Sequence, residues 1–311
     1  MCLWIGRIET IEVMTYASLF TGGGLADIYA KDPLWGIELD PLIAKSAILN
    51  SKHSLFVSSV LEVDPNTLEV LDTLWMSPPC TRASVANRLS GESELDIALS
   101  QRCCEFIRVL KPSSVVLENV AGYANFKAWQ LIQNCLYGEG FWVNAQVFDM
   151  SRYGVPQSCK RFIARATKSL TSDLMPEPSV GWWSAVSDLV DTFEPSELTP
   201  WQSKRVNITP KQFDLLWGDT NTIRSATIRS KDEPAPTLTA NYRPGRMPLV
   251  YIGSSWHKLS LRAIARLMTV PDFYQLPHEL EDTPVSRALT MKILGNGVPS
   301  TFAKKVIESV S

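Results

Sequence analysis

Between residues 14 and 165 the chain repeats one pattern: a short apolar run, a loop rich in glycine, proline or polar residues, then a stretch with helical spacing. Tyr16-Ala17-Ser18-Leu19-Phe20 reads as a buried strand ending in Thr21-Gly22-Gly23-Gly24, and residues 25–30 read as a helix after it. Residues 34–39 form the next expected strand and residues 41–49 the next helix, with Pro41 in the first turn, where its missing N–H is not needed. Residues 71–76 and 114–119 are further strands, each running into a polar or Pro-rich loop. Apolar strands separated by helices build βαβ units and a mostly parallel sheet, because each crossover helix must cover a sheet face. The expected fold class is therefore α/β, a Rossmann-like sheet with helices on both faces. Open sheets of this kind bind ligands outside the carboxyl ends of their strands. The glycine loop, Pro78-Pro79-Cys80 and Glu118-Asn119 all fall at such ends.

After about Arg165 the pattern stops. Residues 166–246 carry many prolines, four tryptophans (Trp182, Trp183, Trp201, Trp217) and no βα rhythm, which predicts a small, irregular second lobe. Within residues 200–246, eight basic side chains face four acidic ones, so this stretch is basic although the whole chain has a formal net charge of −2. Any electrostatic case for a polyanionic partner rests on that patch and not on the protein as a whole. Trp201 and Trp217 are expected in the lobe's core, since tryptophans bury large areas. Helical spacing returns from Ser260, and residues 291–310 read as a last strand or loop feeding a closing helix. No apolar run approaches the roughly 18–20 residues of a membrane span, and the first residues lack a signal-peptide pattern. A membrane role is not expected, and the cytoplasm is the expected compartment. The six cysteines form no CxxC pair and only three histidines accompany them, so no metal site is expected.

Three short segments carry chemistry. A glycine loop that follows a strand lets a ligand approach the backbone closely, and Glu38 at the end of the next strand can accept hydrogen bonds from a ribose diol. Most lone cysteines are small buried apolar residues, but two prolines before Cys80 stiffen the backbone and aim the thiol. Glu118 ends another strand, and a buried Glu is costly without a partner or a task. A thiolate with a carboxylic acid suits an electron-poor ring: the thiolate adds to C6 of a pyrimidine while the acid meets N3 and the exocyclic amine, and C5 becomes nucleophilic.

In addition, Ser18-Leu19-Phe20-Thr21-Gly22-Gly23-Gly24, Ser77-Pro78-Pro79-Cys80-Thr81-Arg82-Ala83-Ser84, Glu118-Asn119-Val120, Tyr153-Gly154-Val155-Pro156-Gln157 with Arg161, Pro234-Ala235-Pro236-Thr237-Leu238-Thr239, Arg266-Leu267-Met268 with Pro271-Asp272, and Gly295-Asn296-Gly297-Val298 stand in this order. Together they resemble the motif series of the DNA cytosine-5 methyltransferases. The resemblance implies a methyl transfer from S-adenosylmethionine to a cytosine flipped out of double-stranded DNA. It implies that Phe20, Gly22, Gly24, Leu25, Glu38, Pro79, Asn296 and Val298 line the cofactor site. Cys80 would be the nucleophile, Glu118 the base-binding acid, and Arg161 and Arg165 would hold the active-site loop or a phosphate. Ser84 and Arg88 would lie on a loop closing over the base. With Gln157, Lys204, Arg205, Arg224 and Arg229, they are the expected DNA contacts.

The expected organisation is a catalytic domain over residues 14–190, a recognition lobe over 191–246 and a C-terminal segment, 247–311, that returns to the catalytic domain. Such a short lobe fits a short target sequence or a recognition partner, and a monomer is the default for the family. Two departures stand out. Cys159 replaces the first arginine of the family's Gln-x-Arg-x-Arg, and Ser58-Ser59 stand where family members often carry an acid near the adenine amine. Two alternatives remain open at this point: an RNA cytosine-5 methyltransferase of the transfer-RNA type, and a DNA-binding subunit without turnover. Residues 1–13 lie outside the resemblance, and Met14 could serve as a translation start.

Overall fold

A computed structural model of the chain describes residues 14–79, 92–204, 206, 209–217, 227–240 and 247–311. The first sheet contains β1 (Thr15–Leu19), β2 (Asp32–Glu38), β3 (Ser54–Val57), β4 (Thr73–Met76), β5 (Ser114–Val120), β6 (Trp142–Asp149) and β7 (Lys160–Thr167), in the order β3-β2-β1-β4-β5-β7-β6. From β3 to β5 neighbouring strands are parallel, and β7 is antiparallel to both β5 and β6. Successive crossovers leave β1 in opposite directions, so β1 and β4 flank the point where strand order reverses. A crevice opens at the carboxyl ends there.

Three helices connect this sheet: α1 (Pro41–Asn50), α2 (Glu94–Leu110) and α3 (Lys127–Gly138). Asp40 starts α1 by accepting hydrogen bonds from the N–H groups of Leu42 and Ile43, with Pro41 at the first helical position. Ser93 and Asp96 form a reciprocal capping box that starts α2.

The second unit is not irregular. It contains β8 (Glu194–Ser196), α4 (Pro200–Ser203), β9 (Leu215–Trp217), β10 (Thr227–Arg229), β11 (Leu249–Ile252) and β12 (Ser255–Lys258), and the strands form an antiparallel sheet in the order β10-β9-β11-β12-β8. It runs past residue 246, through Lys258. Strands of three or four residues are too short to show alternation in sequence.

The chain closes with α5 (Leu261–Leu267), α6 (Pro277–Leu280), α7 (Pro284–Asn296) and α8 (Ser300–Glu308). No strand lies in residues 291–310: Thr283 caps α7 with Pro284 at its start, and Met291, Ile293 and Leu294 are the buried face of that helix. The helix expected over residues 25–30 is reduced to a 3-10 turn, Asp27–Tyr29. β2 already begins at Asp32, and Pro33 disfavours a helical conformation in the residue before it.

Phe106, Ile107, Leu110, Trp129, Ile132 and Leu136 of α2 and α3 cover one sheet face. The other face buries Tyr16, Trp75, Val116 and Ile163 beneath Phe302, Ala303, Val306 and Ile307 of α8. The last helix of the chain thus completes the core of its first strand. A third cluster joins α5 and α7 to Trp182, Leu215, Val250 and other residues of the second unit.

Candidate active site

The loop after β1 is shaped by three consecutive features. Phe20, Gly22 and Gly24 have φ of +60°, +59° and +76°. Glycine adopts that region freely, whereas Phe20 is strained there, and such strain concentrates at functional sites. A methyl group on Gly22 would meet nothing within 4 Å, so this glycine faces open space, whereas one on Gly23 would strike Ile293 Cγ2 at 2.4 Å. The loop is therefore open on one side and pressed against α7 on the other.

Two sets of hydrogen bonds hold it. Glu38 accepts from Gly22 N and Asp40 N, each at 2.8 Å, which ties the acid at the end of β2 to the loop. From beneath, the buried Tyr274 hydroxyl donates to Gly23 O at 2.6 Å. Asp27 accepts from Tyr16 Oη at 2.6 Å and from Ser18 Oγ at 3.0 Å, with His53 Nε2 3.6 Å away. Burial pushes the Asp27 carboxyl above its ordinary range, and His53 and the two hydroxyls oppose this. Sequence reading missed Asp27, His53 and Tyr274; Tyr274 follows the Pro271-Asp272 motif, but nothing in the sequence points its hydroxyl at a loop 251 residues away.

The far end of the chain meets the same loop. Leu25 is buried, and a methyl group on Gly297 would fall 2.5 Å from Leu25 Cδ1, so Asn296, Gly297 and Val298 lie beside the glycine loop. Asn296 is exposed and Val298 buried. Pro79 is exposed at the end of the β4 loop. Two left-handed glycines, an open space above Gly22 and a carboxylate tied to the loop fit a nucleoside-bearing cofactor with a ribose diol. Ser59, in the stretch without the acid, accepts from Leu61 N at 3.2 Å and so shapes the turn after β3.

Across the crevice, Glu118 on β5 is 5% exposed, and its Oε1 lies 3.1 Å from Arg161 Nε on β7. Burial raises the Glu118 carboxyl above the ordinary range, while Arg161 and the Ser77 hydroxyl pull it down. Removing one member of a buried pair leaves the other charge uncompensated, which costs about 3–5 kcal/mol. Asn119, on the opposite side of β5, donates from Nδ2 to the Pro78 carbonyl at 2.9 Å. One strand end thereby aims the acid and pins the backbone two residues before Cys80. Cys80 itself lies outside the described residues, as do Ser84, Arg88, Arg205 and Arg224.

Arg165 is not brought to this place. It is fully buried four residues along β7, where Nη1 donates to Ser172 O at 2.6 Å and to Ser309 Oγ at 3.0 Å. Side chains four apart on a strand share a face but stand about 13 Å apart, so Arg165 ties β7 to the end of α8. Gln157 is buried as well, with Oε1 accepting from Leu238 N at 3.3 Å. Together with the bonds Ala235 N to Pro156 O (2.9 Å) and Ser158 N to Ala235 O (2.7 Å), it fastens the loop before β7 to residues 234–238. Gln157, an expected DNA contact, is covered in this structure. Cys159, where an arginine was expected, is 1% exposed and packs in the core near Arg161. Lys204 is exposed at the end of α4, and Arg229 on β10 pairs with Glu233 at 3.5 Å.

Parallel strands that bring a glycine loop, an acid and a proline-rich loop to one crevice define an α/β methyltransferase fold. The chain belongs to the C-5 cytosine-specific DNA methylases: the model of that family matches residues 14–181. Among curated proteins it is 25% identical to the Type II methyltransferase M.Bsp6I of Bacillus sp. (strain RFL6), over 96% of this chain and 98% of the relative. It is 24% identical to the Type II methyltransferase M1.HgaI of Avibacterium volantium, over 94% and 97%. The fold is shared with the crystal structure of S. pombe Dnmt2 methyltransferase, at a TM-score of 0.71 and 14% identity, covering 95% of this chain and 97% of that one.

Proposed function

We propose that the chain transfers a methyl group from S-adenosylmethionine to C5 of a cytosine flipped out of duplex DNA, through a covalent bond between Cys80 and C6. The observation that carries this reading is the β5 end. Glu118 is buried and paired with Arg161, and its neighbour Asn119 pins the Pro78 carbonyl, two residues before the nucleophile.

Each group then has a task. The Cys80 thiolate adds to C6 while the Glu118 carboxyl, whose pKa burial raises, supplies a proton to N3. The pair of electrons released into the ring makes C5 nucleophilic. Arg161 holds the carboxyl in place, and its charge keeps the acid from becoming too weak to ionise. After transfer, loss of the C5 proton to solvent, expulsion of the thiolate and return of the N3 proton to Glu118 restore the aromatic ring. The cofactor supplies an electrophilic methyl group when bound. Phe20, Gly22, Gly24, Leu25, Pro79, Asn296 and Val298 would line its site, with Glu38 accepting from the ribose.

The family description names DNA as the substrate, and the basic side chains of the second unit, Lys204, Arg205, Arg224 and Arg229, would contact phosphates. Such contacts raise affinity in a salt-dependent way without reading sequence. Ser84 and Arg88 would lie on a loop that closes over the flipped base.

The test is methyl transfer from labelled S-adenosylmethionine to unmethylated plasmid DNA by the wild type and Cys80→Ala, with the modified positions mapped. Label at cytosine C5 that is lost in the variant is the expected result. Equal labelling by both proteins would exclude the covalent route, and labelling of transfer RNA in place of DNA would exclude the substrate.

A further inference from the structure

We propose that Ser77 is a positioning residue for Glu118, a fixed hydrogen-bond donor that sets how readily this acid holds its proton. Strand register places the two together. β4 pairs with β5 in parallel with Trp75 opposite Val116 and Met76 opposite Leu117, so the next residue, Ser77, falls beside Glu118. Trp75 and Val116 lie in the core of the α8 face. Side chains alternate along strands, so Ser77 and Glu118 project to that same side.

The direction of the Ser77 hydroxyl is dictated by its other neighbour. Trp75 Nε1 lies 2.8 Å from Ser77 Oγ. An indole N–H can only donate, so Ser77 must accept from it and has one proton left to give. That proton is free to turn toward the Glu118 carboxyl on the neighbouring strand, whose ionised form the Ser77 hydroxyl favours against burial. Trp75, 2% exposed in the core, thus locks a hydroxyl that would otherwise rotate. Among the described residues, the charged group beside Glu118 is Arg161 on β7, which supports ionisation, and the titratable one is the buried Cys159 thiol before that strand, whose own pKa burial raises. Neither is oriented by Trp75, so the tryptophan and serine form a separate control.

This inference deepens the reading of Glu118 as the acid that meets the base, and its test does not depend on turnover. The Glu118 carboxyl is titrated in the free protein by NMR of 13C-carboxyl-labelled glutamate, the signal being assigned by its loss in Glu118→Gln. In Ser77→Ala the midpoint should rise by about one pH unit, the size of a lost hydrogen bond to a charged group. Ser77→Thr, which keeps the hydroxyl, should restore it. The alkaline limb of methyl transfer should move the same way, because the protonated acid then persists to higher pH.

A midpoint unchanged in Ser77→Ala would overturn the proposal, as would a rise that Ser77→Thr fails to reverse at wild-type melting temperature. A wild type that methylates no DNA would instead count against the proposed function and leave the titration result standing.

Discussion

Tyr274→Phe separates the support of the glycine loop from the packing around it. The phenylalanine ring fills the same space, so only the hydroxyl is lost. That hydroxyl donates to Gly23 O at 2.6 Å, lies 3.3 Å from Ser46 Oγ, and belongs to a side chain with no exposed surface. Burial pushes its pKa up to about 12, so it remains a donor throughout the working pH range. Leaving the buried Gly23 carbonyl without this partner should cost about 1–3 kcal/mol. For a chain of this size that lowers the melting temperature by roughly 2–6 °C. The effect on the cofactor should be smaller than the full cost, because Thr21 N to Ile37 O and Gly22 N to Glu38 still hold the loop. If about half of the loss falls on the binding-competent loop, S-adenosylhomocysteine should bind roughly two- to twelvefold more weakly. Calorimetric titration at one pH, beside a thermal melt, reads both. A protein that melts earlier but binds the ligand with unchanged affinity would refute the idea that Tyr274 shapes the loop from beneath.

Three further outcomes follow from the geometry. The raised Asp27 carboxyl makes the folded protein bind a proton that the unfolded chain has already released, so its contribution to stability falls as pH rises from about 4 to the elevated folded value. Asp27→Asn should therefore gain on the wild type across that window in urea unfolding, and a difference flat in pH would contradict it. Gly295→Ala would place a methyl group 2.3 Å from Ala240 N, backbone that cannot swing aside. A loss of about 1–3 kcal/mol or more is expected, read as a lower urea midpoint. Arg165→Met should keep methyl transfer within about threefold, since Nε and Nη2 of Arg165 meet no hydrogen-bond partner among the described residues and a buried charge is removed. Arg161→Met should abolish transfer; equal losses in the two variants would put Arg165 back in the reaction.

Four of the first five strands, β1, β2, β4 and β5, were legible because each is an apolar run closed by a loop of distinctive residues, and a parallel sheet needs little beyond that pattern; β3 is four mostly exposed residues and was not. The glycine loop, Glu38 and Glu118 were legible for a related reason: chemistry at strand ends requires particular residue types at a particular place in the βα rhythm. β6 was harder, because Trp142 and Val147 on this edge strand are exposed and break the expected alternation. The second sheet was hidden by strands of three or four residues drawn from three separate stretches between 194 and 258.

The order of residues along the chain sets which side chains are present and at which strand end each one sits. Their pairing comes from how the strands and helices pack. Arg161 and Arg165 look equivalent in the sequence, yet antiparallel register sets one beside Glu118 and buries the other against Ser309. Tyr274 and Gly297 reach the glycine loop only because α5 to α8 fold back over the first strands. Local propensity acts over a few residues, whereas these contacts join groups more than 250 residues apart, and the packing of the whole core sets their distance.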